Sequence, residues 1–454
     1  MRKFRILALA MSAIVALAAC GPSDPDGTGG GDGEGEYAFG GANTALNTQF
    51  GNGGDCLFSD PPGCYLHHQA SFMVGPNGFF EQNFPDVAVA GETYDFFPQP
   101  AMEFNAVTTS ADLFGMFNDT PQAASLMRYL VTAEAQAIWP SLGSATSGNS
   151  AVPLDAYPDE IARRLAQSLI EAETVRYDAS DKMPAEMDAA FRAAILDYVQ
   201  NPENLDSILA DLDETQTSAY ADITEADPPA ATAPPEDDTD LGGEISILAV
   251  WADAEQEAFL SVIQPWVDRT GVTVNYEATR DINATLTNRI EGNNPPDVAG
   301  LPGPGAMAQF ARSGDVYSLD SVVDMAQMAE EWNEGLIADS TVDGHMVGIF
   351  IKVSPKGFIW YNPAQFEAEG YEVPEDFDGF DALVDQIKAD GNTPWGIGLN
   401  SGAGSEGWPG TDWIEDFVVR QSGPEVYDAW WQGTQTWSSP EIKAAFEAFG
   451  KWSQ

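Results

Sequence analysis

The sequence predicts an α/β protein built as two domains or two lobes, and three observations carry that reading. A chain of 454 residues is longer than one hydrophobic core usually organises. Two low-complexity stretches, 21–36 and 221–242, cannot support a core and leave two folded segments, 37–220 and 243–454. At the start of the second segment, apolar β-rich runs alternate with helical patterns in the order strand, helix, strand, helix, strand. That order gives a parallel sheet with covering helices.

At the amino end, Arg2, Lys3 and Arg5 precede an apolar run from Ile6 to Ala19 that is too short to span a bilayer and closes in Leu-Ala-Ala-Cys. Residues 1–20 therefore read as a cleaved bacterial lipoprotein signal, with Cys20 the lipidated N-terminus. An ordinary signal peptide or a short anchor helix is the plainer alternative. The mature chain is expected at the cell surface or in the periplasm, anchored by its lipid to the outer face of the cytoplasmic membrane. There it meets solutes, polymers or partners and works without cytosolic nucleotides. Residues 21–36, rich in Gly and Asp, form a flexible acidic spacer.

Helices dominate the later part of segment 37–220. Thr120 can cap a helix whose first turn holds Pro121, and amphipathic patterns come after it at 155–172, 187–199 and 204–212. Cys56 and Cys64 flank Ser-Asp-Pro-Pro-Gly, a turn-rich stretch that can bring them together. Outside the cytoplasm a disulfide is the expected state, ahead of a reduced pair or a metal site. A metal would need more ligands, and the only histidines are His67, His68 and His345. Residues 221–242, with Asp-Pro-Pro-Ala-Ala-Thr-Ala-Pro-Pro-Glu-Asp-Asp, read as a semi-rigid, disordered linker. Beyond it, strands are predicted at 244–251, 272–279 and 296–301, with helical patterns through Phe259, Ile263 and Trp266 and again to Ile290. Further strands are predicted at 345–351, 357–361 and 393–399.

The formal charge of −52, from 71 acidic against 19 basic residues, opposes binding to nucleic acid or anionic lipid and favours a neutral or cationic ligand. Its plainer reading is a solvated surface adapted to salt or to solubility. Gly402-Ala-Gly404-Ser-Glu-Gly407 matches G-x-G-x-x-G after a predicted strand. Trp408-Pro409-Gly410 interrupts the helix that should receive a pyrophosphate, however, and an exported chain has little access to NAD. A flexible glycine loop lining a cleft is expected instead. The chain has no G-x-S-x-G elbow, Walker loop or H-E-x-x-H. Carboxylates are so abundant that a glycosidase pair, Asp412 with Glu415 or Asp416, can always be drawn, which makes such a pair uninformative. More telling is the gathering of aromatic and polar residues at predicted strand ends: Trp251-Ala-Asp253, Arg280-Asp281, Pro302 to Gly305, and Trp408 to Trp413. Open α/β sheets bind ligands beyond the carboxyl ends of their strands. Sugars suit such loops, since their C–H faces stack on Trp or Tyr while Asp, Asn and Arg take their hydroxyls.

Residues 244–454, through ISILAVWADAEQEAF, NPPDVAGLPGPG, KGFIWYNPAQFEAEGY and GWPGTDWIEDFVVR, resemble the amino-terminal portion of the sugar-binding lipoproteins of ABC importers, family 1 of the bacterial extracellular solute-binding proteins. The likeness is strongest to the α-glucoside-binding type. Residues 38–220, through GANTALNTQFGNGGDCLFSDPPGCYLHHQASF, DLFGMFNDTPQAASLMRYLVTAEAQAIW and VPLDAYPDEI, resemble that family's carboxy-terminal portion. The order is inverted, as in a circular permutation, with the 221–242 linker joining the usual end to the usual beginning. Such a linker spans roughly 25 Å as a coil and about 70 Å when extended, so reach is not limiting. A gene-assembly error and half-domains that pair between chains are the alternatives. Neighbouring ends at Tyr37 and Gln454 are the mark of an intact permuted fold.

The resemblance implies a two-lobed, hinged periplasmic-binding-protein-like fold of type II that closes on a sugar. By matching positions, it places Trp251, Asp253, Arg280, Asp281, Gly303, Pro304, Gly305, Trp408 and Asp412 on one ligand face and the neighbouring hinge. His68, Gln69, Phe72, Phe80 and Asn149 come from the other portion, with Lys356 a further candidate. His67 and His68 are adjacent, so in a strand at most one faces the ligand. Asp178-Ala-Ser-Asp181 resembles a helix-start motif of the family, and its plainer reading is a capping turn. The resemblance further implies a monomeric receptor without catalysis, cofactor, metal or nucleic acid. It captures a neutral oligosaccharide, an α-glucoside such as trehalose, maltose or sucrose, and passes it to the membrane subunits of an ABC permease. An exported polysaccharide-active enzyme of glycoside hydrolase type, or a structural surface protein without ligand, are the alternatives.

Overall fold

β-Branched and aromatic runs supply the strands, as the sequence alternation requires. In the computed structural model, which describes residues 37–453 apart from 76–77, 144, 173, 222, 224, 226 and 403–404, they are β1 (Leu66–Gln69), β2 (Asp95–Pro98), β3 (Val107–Met116), β4 (Val175–Tyr177), β5 (Glu244–Ala249), β6 (Thr273–Ala278), β7 (Val298–Leu301), β8 (Thr341–Val342), β9 (His345–Met346), β10 (Ile349–Pro355) and β11 (Phe358–Tyr361). Cys20 and the acidic spacer lie outside the described residues. So do parts of the 402–407 glycine loop.

One sheet runs β10-β3-β7-β5-β6, with β4 also on β3; a second runs β1-β11-β2. As the alternation predicts, β5 pairs in parallel with both β6 and β7. The antiparallel partner of β7 is β3, which comes from the other segment. Helices Pro121–Leu130, Ala133–Ser141 and Asp253–Thr270 cover the first sheet, around a core that includes Leu113, Phe114, Leu126, Ile247, Phe259 and Trp266. A second core joins Met187, Phe191 and Ile195 of helix Ala185–Gln200 to Trp395, Trp430 and Phe446. A smaller third one packs Phe80, Phe96, Phe358 and Trp360 on the other side of the β1-β11-β2 sheet.

Each sequence segment therefore contributes to both main cores. The first body takes residues 111–145 and Tyr177 from the first segment, Ala231 from the linker and 245–353 from the second; the second body takes 38–66, Phe97, Ala106 and 179–212 together with 359–452. Three adjacent strands carry the chain between bodies. β3 pairs with β4 at Val107–Thr109, with β10 along its length, and with β7 at Leu113–Met116.

Several boundaries differ from the sequence expectation. Residues 393–399 form no named strand; they make isolated bridges from Trp395 to Ala38 and Leu66, because the neighbouring chain runs past them only at single points. Trp408-Pro409-Gly410 does not interrupt a helix but begins one, within a helical span Trp408–Trp431 that breaks at Gly423, with Pro409 in the first turn, where its missing N–H costs nothing. Residues 227–242 do not hang free. Ala231 N–H donates to Ser318 O at 3.0 Å, and Asp238 accepts from Ser125 Oγ at 2.6 Å and from Arg269 Nε at 3.0 Å. Those bonds hold the Asp238 carboxyl down at about 2 against the opposing effect of burial, and they seat the proline-rich strap on the first body.

Candidate functional site

The ends of β5 and β6 and a bulge in β10 bring charge to the seam between the two bodies. Helix Asp253–Thr270 starts directly after β5 and presents Glu255 in its first turn. Arg280, past the end of β6, donates to Glu255 Oε2 at 3.2 Å. Lys352 donates to the other oxygen, Glu255 Oε1. The β10–β3 register slips between Ile351 and Ser354, and Lys352 takes φ +60°, so the extra residue re-aims its side chain. Among the described residues, five non-glycine positions have positive φ, and two of them, Asp253 and Lys352, stand here. A left-handed lysine costs of order 1–3 kcal/mol, strain that tends to persist where it serves a site. Asp112, on β3, accepts from the Trp251 indole N–H at 3.1 Å.

Aromatic rings stand around these charges. Lys352 Nζ lies 5.7 Å from the ring centroid of Phe72, which packs on the third core, and 5.6 Å from that of Trp139, which belongs to the first. Phe72, Phe50 and the half-buried Trp408 form an edge-to-face group, with Trp408 5.1 Å from Phe50 and 6.0 Å from Phe72. Behind Trp408, Lys356 Nζ sits 5.3 Å from its ring and bonds Asp178 and Asp412, the latter at 2.7 Å.

Electrostatics separate the charged front from this buried floor. Burial pushes the Asp112 carboxyl up to about 6, against the pull of Lys352. Burial also works to raise Glu255, yet Lys352 and Arg280 more than offset it and hold it below its ordinary value. On the floor, burial raises Asp412 to about 8, while Asp178, also opposed by burial, is held below its usual value by Lys356. One amine thus faces two carboxylates of opposite tendency. We assign the charge to Asp178, which also accepts from Ser180 Oγ at 2.8 Å, and the proton to Asp412, whose Oδ2 has no partner.

The residues expected from the sequence divide accordingly. Trp408, Phe72, Asp253, Arg280 and Asp281 are exposed or half-buried. Trp251 is a core residue instead, 1% exposed and stacked on Phe114 at 5.3 Å. Phe80 is likewise wholly buried, in the third core. Gly303 and Gly305 stand in close packing: a Cβ on Gly305 would stand 2.1 Å from Met183 O, and one on Gly303 2.6 Å from Asp181 O. Pro304 is buried beside them in the first turn of helix Pro304–Arg312. Gln69 is buried and its Oε1 accepts from the adjacent Ala70 N–H at 2.9 Å. Neither adjacent histidine faces the seam. His67 Nδ1 meets Gly396 O at 2.8 Å, and burial lowers its pKa to about 4; His68 Nε2 lies 2.8 Å from Asp416 Oδ2 and stacks on Trp413 at 4.2 Å. Asn149 has its amide committed to Val131 O and Glu331 and its carbonyl to Ala151 N–H.

The carboxylates that could be drawn as a glycosidase pair are buried. Glu415 accepts from Ala179 and Ser180 N–H at 2.9 and 3.1 Å, capping helix Ala179–Lys182 in place of Asp178, whose own side chain is taken by Lys356. Asp416 accepts from Thr108 Oγ1 at 2.7 Å. Cys56 and Cys64 are joined, with S–S 2.05 Å.

Glu255, Lys352 and Asp112 escape the sequence reading. Their one signal is a lone charge inside an otherwise apolar strand, at Asp112 in SADLFGM and Lys352 in IFIKVS. A cavity of about 360 Å³ lies apart from the seam, and of the expected ligand residues only Asn149 lines it. We place the candidate site at the seam, because aromatic faces and opposed charges converge there.

Residues 252–453 match the pattern of the family described as bacterial extracellular solute-binding protein. The osmoprotective compounds-binding protein of Synechocystis sp. is 34% identical over 211 residues, 46% of this chain and 50% of that protein. The alpha-glucosides-binding periplasmic protein of Rhizobium meliloti is 33% identical over 219 residues, 46% of this chain and 47% of its own length. The chain thus spans about half the length of the curated relatives it matches. An unliganded murein tripeptide-binding protein overlaps at TM-score 0.21 and 11% identity, covering 66% of this chain and 49% of that one, too slight a likeness to bear on the fold. Among the described residues, no helix is long and apolar enough to cross a membrane.

Proposed function

We propose, starting from a chain whose residues 252–453 match the bacterial extracellular solute-binding proteins, that the whole protein is an exported receptor of that family that captures a neutral oligosaccharide at the seam and delivers it to an ABC permease. The single observation that carries this is the pairing of Trp408 and Phe72 on one side with Glu255, Arg280 and Lys352 on the other. Aromatic faces take the C–H surface of a pyranose, and the charged groups take its hydroxyls in charge-assisted hydrogen bonds. Lys352 and Arg280 are matched by Glu255 and Asp112, so the wall is locally balanced and favours an uncharged solute. Asp253 and Asp281, exposed at the mouth, add acceptors. The relatives named for α-glucosides and osmoprotective compounds support trehalose, maltose or sucrose as the ligand class. Crossing strands β3, β4 and β10 provide the hinge for closure. Cys20 is the lipid anchor in this reading, and the receptor acts as a monomer.

The inverted order belongs to the same proposal. Tyr37 Oη donates to Asp385 at 2.9 Å, and Lys451 Nζ lies 3.5 Å from that same oxygen. The two ends of the described chain thus converge on one carboxylate, which supports a permuted chain closing into one fold. A thermal-shift screen across di- and trisaccharides tests the function. At least one sugar should raise the melting temperature and be recovered unmodified. Released reducing ends would point to an enzyme, and a flat panel would refute the receptor.

A further inference from the structure

We propose that the cavity on the rear of the crossing strands is a second ligand site, taking a small uncharged molecule with an apolar body and one or two hydroxyl groups. The site does not rest on the receptor reading.

Asp112 and Thr109 project from opposite faces of β3, because side chains alternate along a strand. Asp112 meets Trp251 at the seam, whereas Thr109 and Val353 line the 360 Å³ cavity behind. Trp332 and Leu336 in its wall belong to the first core. Tyr157 and Val152 belong to a small fourth core with Ala162 and Ala166 of helix Glu160–Ile170. The volume lies toward the lower end of the roughly 300–1,000 Å³ typical of ligand pockets.

The lining fixes the chemical class. Its one carboxylate, Asp339, is held by Lys182 at 2.5 Å, so no unpaired charge awaits a charged ligand. Trp332 and Tyr157 offer aromatic walls. Tyr157 Oη accepts from Ser147 N–H at 3.1 Å and keeps its own proton to donate, while Thr109 Oγ1 makes only a 3.3 Å bond to Ser354 O. Ile170, 68% exposed, stands at the mouth.

Phenol and cyclohexanol are the probes, followed by saturation-transfer NMR on the whole chain. Both should bind the unaltered protein saturably and bind Val152→Phe, which fills the space, about tenfold more weakly. Ile170→Asp, at an exposed position where folding is not at stake, should bind about fivefold more weakly. Absence of saturable binding, or unchanged binding by a cooperatively melting Val152→Phe, overturns the site. Should that variant fail to fold, unchanged binding by Ile170→Asp does so.

Discussion

Replacing Lys356 by Met removes the only cation bonded to Asp178 and Asp412 in the described structure, and does so at a position where both carboxylates are buried. Asp412 already carries a proton at neutral pH, since burial lifts it to about 8, so the damage falls on Asp178. Asp178 keeps Ser180 Oγ but loses its countercharge. Breaking a buried ion pair from one side costs about 3–5 kcal/mol, most of it the uncompensated charge left behind. Unfolding entropy of about 2 cal/mol/K per residue converts this, for a chain of this size, into a fall in melting temperature of roughly 3–6 °C. Differential scanning calorimetry at pH 7 measures it. Adding Asp178→Asn to the Lys356→Met chain should recover most of the loss, because the orphaned charge goes with it. Acidification should recover part of it too, as Asp178 takes up a proton. A Lys356→Met protein that melts within about 1 °C of the original, or a double variant no better than the single one, would refute this reading of the floor.

Asp412→Asn tests the assigned proton from the other side. Its folded-state pKa is raised from 3.8 to about 8, so the folded state holds a proton that the unfolded state releases. That contribution falls as pH rises from about 4 to about 8, and the variant's melting temperature should depend less on pH across that window. Cys56→Ser with Cys64→Ser should cost about 2.5 kcal/mol, the loop-closure entropy of a short ring, read as a drop in melting temperature of about 3 °C. Asp238→Ala should cost about 1.5–3 kcal/mol in denaturant unfolding, because charged hydrogen bonds to Arg269 and Ser125 hold the strap to the first body. A strap that merely tethers the segments would lose nothing.

Local pattern made the parallel core legible. β5 and β7 are mostly apolar runs, β6 alternates apolar and polar residues, and Thr120 caps its helix from Oγ1 with Pro121 in the first turn. What the pattern could not show is which distant runs share a sheet. Apart from β4, β3 is flanked by strands from the opposite segment, β10 and β7, so little near it in sequence announces its partners. The seam was partly legible for the same reason. Trp408, Arg280 and Asp253 sit at strand or helix ends, where loops gather function. Lys352 acts from within a strand, and only the register slip turns it toward Glu255. Trp251 and Phe80 carried the right chemistry in the wrong place, because an aromatic ring reads alike in a core and on a ligand face. The Pro/Ala/Asp strap looked disordered by composition, and it is Asp238, with its two arginines and a serine, that overrides composition.

Calorimetric titration of trehalose, maltose and sucrose into the unaltered protein and into Trp408→Ala tests the sugar-capturing seam most directly. At least one of the three should bind the unaltered chain one to one, and the loss of stacking area should weaken it about tenfold or more in the variant, corresponding to about 1.4 kcal/mol. No binding by any of the three, or equal binding by both proteins, would contradict it.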